Sequence, residues 1–167
     1  MLMPLFEQFA EYNRWANQRL CKDASSLDDD LRNRDIGLFF RSLHGTLNHL
    51  LVGDRIWLRR LTGEGSLPTR LSEILFEDFG ELSEARAQED ERIIRVVSSI
   101  SDADLEARFT YRTLAGKEYT IRRDDFLAHF FNHQTHHRGQ AHAALTIIGI
   151  PEPKPLDLLV MQRSKAS

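Results

Sequence analysis

Five of the seven histidines in this chain, His129, His133, His136, His137 and His142, fall within one short segment near its end. Neutral imidazole nitrogen is a good ligand for divalent metal ions. If the segment is helical, side chains four apart lie one above the other about 40° around, so two imidazoles can aim at one point. His133 and His137 have that spacing, but so do His129 and His133, and His133 with His136 is three apart. On a face centred on His133, His129 and His137 flank it on opposite sides and His136 lies further out on His129's side. Periodicity narrows the pair without choosing it. An HxxxH pair also arises by chance in many helices, where a histidine more often sits at the surface or in a hydrogen-bonded core. Gln134 stands where a metalloprotease helix carries its general-base glutamate, which disfavours peptide hydrolysis by that route.

Two ligands from one helix leave a metal under-coordinated, so a third is expected from another helix. His49 is the natural candidate. Gly45 and Gly53 stand one turn before and one turn after it on the same face, removing bulk where an ion and its ligand would need room. Close helix packing explains those glycines nearly as well. His44 projects roughly 140° away from His49 by helical periodicity and is the weaker claimant. Asp54 is turned to another face in the same way. Cys21 is the only cysteine, which excludes an intrachain disulfide and a thiolate cluster, and nothing near it marks it as an activated nucleophile.

The elements that must position these residues are mostly helical. From Pro4 to about Cys21, the residues Phe6, Phe9, Ala10, Ala16 and Leu20 recur at helical spacing, with Pro4 suited to a first turn. Asn13 and Asn17 share that stripe and must find partners, with backbone groups at a helix crossing favoured over a pocket-facing role. The acidic run Asp28 to Asp30 is expected in a loop. A second helix should run from near Leu38 to Leu61, and a third from about Phe79 to Ile100. Aromatic and β-branched residues on both sides of Ala115 and Gly116 predict a short hairpin or extended loop between Phe109 and Ile121. The last helix begins near Arg123 or Asp124 and stops at Gly149 and Pro151. Beyond it, Pro153 and Pro155 predict an extended tail packed across the helices.

The chain has 167 residues, 41% hydrophobic and 28% charged, which suits one globular domain over residues 1–167. A net charge of -3 offers no electrostatic ground for binding nucleic acid. No stretch approaches the ~20 apolar residues of a membrane helix, and the first residues lack a signal-peptide pattern. With a single cysteine, a cytoplasmic location is expected.

Several blocks carry a resemblance. NHQTHHRGQ (Asn132 to Gln140) with the following AHAALTIIG resembles the signature of the DinB/YfiT-like metal-binding bundle proteins. YNRWANQRL (Tyr12 to Leu20), LNHLLVGDRIWL (Leu47 to Leu58) and PLDLL (Pro155 to Leu159) are similar to family blocks in the same order, so the likeness spans nearly the whole chain. It implies an all-α four-helix bundle and a three-histidine site made by His49, His133 and His137. His129, His136 and His142 then become supporting, packing or surface residues. The implied cofactor is one divalent metal ion, zinc or nickel first and manganese or iron next, with open coordination positions for water or a thiol.

What the resemblance implies about activity is broader. Family members include transferases that use low-molecular-weight thiols such as bacillithiol or mycothiol, so a thiol S-transferase or related detoxification activity on an electrophilic small molecule is the first expectation. A non-catalytic metal-stabilised stress-response protein and a metal-dependent hydrolase are the alternatives. No general base for the hydrolase is evident. Asn17 and Gln140 are expected near the open site, with His136 as a further pocket or supporting residue, and a homodimer is implied.

Overall fold

The structure, a computed structural model, describes residues 2–165 and is mostly helical. Among the described residues six α-helices form: α1 (Met3–Ala24), α2 (Asp29–Asn33), α3 (Leu43–Thr62), α4 (Phe79–Ser98), α5 (Arg123–Ile148) and α6 (Leu158–Lys165). A hairpin of β1 (Arg108–Arg112) and β2 (Glu118–Arg122) precedes α5, with Phe109 opposite Ile121 and Tyr111 opposite Tyr119. Three of these helices start at a side-chain cap. Asp28, Ser42 and Asp78 each accept a hydrogen bond from the backbone N–H three residues on, which supplies a partner to an otherwise orphaned donor. Gly63 at a φ of 76° ends α3, a left-handed conformation that glycine adopts without steric cost.

Three boundaries differ from expectation. The second predicted helix starts at Leu43 rather than near Leu38, because Leu38 to Arg41 form a tight turn with Arg41 at a φ of 69°. The acidic run makes a short helix instead of a loop, with Asp28 as cap and Asp29 and Asp30 favourably placed at its positive end. The tail is extended only to Asp157, after which LLVMQRSK contains no breaker and folds as α6 over the buried Met161. Before that point it does pack across the helices. Tyr12 Oη and Arg19 Nε donate to the carbonyls of Leu156 and Pro155, and Lys154 N donates to Asp23.

The four long helices pack in the cyclic order α1, α4, α3, α5. Their apolar residues fall into two clusters. One gathers Leu20, Leu43, Leu47, Leu50, Leu82, Leu145 and Ile148; the other gathers Phe6, Leu58, Ile93, Val97, Phe126 and Phe130. The order in which each helix crosses the clusters gives its direction: α1 and α5 run one way, α3 and α4 the other. Since α3 and α4 are parallel, residues 63–78 between them must return along the length of α3, about 30 Å for a helix of its size.

Between the two clusters every long helix contributes polar residues. Asn13 and Asn17 of α1 both donate to Asp90 Oδ1 of α4, at 3.1 and 2.8 Å. Their partner is therefore a carboxylate and not backbone. Arg86 Nη1 lies 2.5 Å from Asp54 Oδ2 of α3, and Nη2 lies 3.0 Å from Asp90 Oδ1. Gln134 Nε2 of α5 donates to Asp54, and Arg138 donates to Asn13.

Removing Arg86 would leave Asp54 and Asp90 buried without the cation that contacts both, with the more distant Arg138 left to offset their charge. Arg86→Met is expected to cost about 3–5 kcal/mol of unfolding free energy near pH 8, measured by urea denaturation. Burial raises the carboxyl of Asp54 to about 7 and also raises that of Asp90, while Arg86 pulls both down. A folded-state pKa above the unfolded value favours the folded state as pH falls, so the penalty should shrink toward pH 5. A penalty below about 1 kcal/mol at pH 8 would mean that the network does not hold the helices together.

Candidate metal centre

His49 projects from α3, and His133 and His137 from successive turns of α5, the helix packed against it. One ligand atom from each lies within 4.8 Å of the other two. The ring centroids of His49 and His133 are each 4.4 Å from that of His137 and 5.4 Å from one another. His49 is buried, whereas His133 and His137 are half-exposed, so the cluster reaches the surface along α5.

Their outward hydrogen bonds decide which nitrogens face inward. His49 Nδ1 lies 2.8 Å from the carbonyl oxygen of Leu71, an acceptor only, so Nδ1 carries the proton and donates it. His137 Nδ1 is 2.8 Å from Gln140 Oε1 and donates in the same sense. Both Nε2 atoms are then lone-pair donors, and they face each other at 3.2 Å. Two such lone pairs repel unless a cation lies between them. Zinc bonded to imidazole nitrogen at 2.0–2.1 Å in a tetrahedron sets neighbouring nitrogens about 3.3 Å apart, close to the separation found. The three residues present therefore fit one ion.

Neighbours hold the rings in place. The Phe40 ring stacks on His49 with centroids 3.7 Å apart and planes at 16°, and presents its edge to His137 at 5.7 Å. At Gly53 a Cβ would come within 3.1 Å of His133 Cε1, so this glycine makes room for the His133 ring. Gly45 has a different cause: a Cβ there would drive into the carbonyl oxygen of Phe40, so it admits the turn that carries the stacking ring. Burial is the main influence on all three imidazoles. It lowers His49 to about 4 and His133 to about 3, helped by the neighbouring rings, and it lowers His137 against the opposing Gln140 hydrogen bond. All three are neutral at pH 7, the form that ligates.

The other predicted residues divide. Gln140 is a direct partner of His137, and its Nε2 lies 3.4 Å from His136 Nε2. His136 is exposed, with its ring 4.8 Å from that of His137. Asn17 is engaged with Asp90 and borders a cleft with Cys21 and Arg86. His129 packs on Trp57, His142 bonds the Lys154 carbonyl and His44 the Phe76 carbonyl. Gln134 and Asp54 bond each other away from the cluster, and burial pushes the Cys21 thiol up to about 11. Phe40 and the Leu71 carbonyl were not foreseen. A backbone acceptor carries no side-chain signature, and Phe40 belongs to no periodic pattern.

A protein mostly of helices with three convergent histidines on two of them is a recognisable class. The DinB family model matches residues 1–165, and the chain belongs to the DinB family. It is similar to Protein DinB of Bacillus subtilis (strain 168), at 26% identity over 148 residues and 83% of each sequence. Its fold is also that of a DinB-like protein from Bacillus cereus ATCC 10987, with a TM-score of 0.65, 19% identity, and 84% and 88% of the two chains covered. Among the described residues no helix is long and apolar enough to cross a membrane.

Low imidazole pKa values predict a weak dependence of zinc uptake on pH. A proton competes with the metal only below a ligand's folded-state pKa, so His49 and His133 contribute almost nothing above pH 6. Between pH 7.5 and 6.0 apparent zinc affinity should fall less than about fourfold, against about 50-fold for three ordinary imidazoles of pKa near 6.5. Competition titration against a chromophoric chelator measures this, and a drop near the larger figure would contradict the burial argument.

Proposed function

We propose that this chain holds one divalent metal ion through His49, His133 and His137, and is a metal-dependent enzyme acting as a low-molecular-weight-thiol S-transferase or a related detoxification enzyme. The observation that carries it is the facing Nε2 pair at 3.2 Å, oriented by the outward hydrogen bonds to Leu71 and Gln140. Zinc and nickel suit three imidazoles best, with manganese or iron next. Bound there, the ion supplies Lewis acidity, and three nitrogen ligands leave coordination positions for a thiol or water. Half-exposure of His133 and His137 favours this over a covered, purely structural ion.

In this reading the chain's own groups do the rest. Phe40 closes one face of His49, and Gln140 fixes the His137 ring. His136, exposed beside His137 with its Nε2 against Gln140, borders the pocket in this reading. The thiol gives up its S–H proton to solvent, the sulfur forms a bond to the electrophilic carbon, and the leaving group departs with its electron pair. The same reading takes residues 1–167 as one cytoplasmic domain, the four long helices as a four-helix bundle, and the functional unit as a homodimer.

The test is metal content of protein purified without a histidine tag, followed by thiol consumption across a panel of electrophiles. Wild type should hold about one ion per chain. The His49→Ala, His133→Ala and His137→Ala variants should lose it, and His129→Ala and His136→Ala should keep it. Metal-free wild type that takes up none of the four metals would end the reading. A loaded protein that consumes no thiol would end only its enzymatic part.

A further inference from the structure

The segment 63–78 has no regular secondary structure, long for a connection in a compact fold, where such loops commonly serve function. Midway along it Leu71 has an exposed side chain, yet its carbonyl accepts the His49 Nδ1–H bond. Backbone at an exposed position can hold a buried imidazole only if something holds the backbone. The side chain next to His49 does so. Asn48 is fully buried, and its Oδ1 accepts from Leu75 N at 2.8 Å and Phe76 N at 3.1 Å. Its Nδ2 donates to the Phe76 and His44 carbonyls, both at 3.2 Å. All four hydrogen-bonding positions of the amide are used, which also fixes which way it points. One turn earlier, His44 Nε2 reaches the same Phe76 carbonyl at 2.9 Å.

We propose that Asn48, supported by His44, is a positioning residue of the metal centre: it binds the returning loop to α3 and so holds the Leu71 carbonyl where it commits His49 to the Nδ1–H tautomer. This rests on the proposed three-histidine metal site for its purpose, though not for its geometry. An imidazole whose other nitrogen is unheld exchanges tautomers and rotates, and partners of this kind typically change metal affinity 10- to 100-fold when lost. Asn48 makes none of these bonds with an ion, so its influence passes wholly through the loop.

The experiment reads the His49 tautomer by long-range 1H–15N NMR in metal-free protein, and zinc affinity by chelator competition, for wild type, Asn48→Ala and Asn48→Asp. Wild type should show the single Nδ1–H form. Asn48→Ala should show mixed tautomers and bind zinc about 10- to 100-fold more weakly. Asn48→Asp keeps the acceptor toward Leu75 and Phe76 but sets its second oxygen against the Phe76 and His44 carbonyls, so it too should release the loop and show mixed tautomers, a signature that a mere packing role does not predict for so nearly isosteric a change. Folded Asn48→Ala with an unchanged tautomer and affinity within about twofold of wild type would overturn the proposal. So would an unchanged tautomer and affinity in folded Asn48→Asp, which decides the matter if the alanine variant fails to fold. If wild type binds no zinc, the metal reading fails, and the tautomer comparison still tests the positioning role.

Discussion

The histidine geometry depends on a layer of buried charge that contains no histidine. Asp54, Arg86, Asp90 and Arg138 lie between the two apolar clusters with Asn13, Asn17 and Gln134, and together they come from all four long helices. Taking four charges out of water costs more than their mutual attraction returns unless hydrogen bonds complete the arrangement. Here Arg86 spans two carboxylates on two helices, and neutral amides take up further valences. Apolar residues tolerate a helix that slides or turns by a fraction of a residue, since leucine packs against leucine in many registers. A guanidinium between two carboxylates does not. The layer thus sets axial position and rotation where greasy packing alone would leave both loosely determined.

That register is inherited by the three imidazoles. Asp54 lies on α3 little more than a turn beyond His49, and Gln134 and Arg138 on α5 directly follow His133 and His137. Gln134 bonding Asp54 aligns α3 with α5, and the facing nitrogens are a consequence of that alignment. Directionality has a second consequence. With α3 and α4 parallel, their connection must travel back along α3, which brings a backbone carbonyl past His49. A hairpin-like turn between antiparallel helices would have left that imidazole without its outward partner.

Much of this was legible in the sequence, and the limits are physical. The start of the helix near Phe79 was readable from its amphipathic spacing, and the Asp78 cap that fixes it is a local interaction of the same few residues. The histidines of α5 and their i, i+4 spacing were readable because both lie within one short stretch of sequence. Choosing His133 with His137 over His129 with His133 took the family resemblance, since periodicity places both pairs on one face. Asn13 and Asn17 were visible as polar residues on an inward stripe, but their partner Asp90 is more than seventy positions away, and pattern along one helix says nothing about which neighbour covers it. The Phe40 stack on His49 depends on a left-handed residue at Arg41, a conformation for which arginine carries no sequence signal.

Helix α5 shows why a single amphipathic stripe could not have described this site. Its ends are apolar, with Phe126, Phe130, Leu145 and Ile148 in the two clusters. Its middle is polar on adjoining sides, imidazoles at 133 and 137 and the amide and guanidinium at 134 and 138. Consecutive residues are about 100° apart, so these two sets cannot be adjusted independently. A rotation of α5 that moved the imidazoles apart would also withdraw Gln134 from Asp54 and Arg138 from Asn13, leaving buried groups unpaired at a cost of about 1–3 kcal/mol each. Lone-pair repulsion between His49 and His137 pushes in that direction, and the network opposes it. Three neutral, converging nitrogens are in this way held ready by bonds that belong to the neighbouring residues.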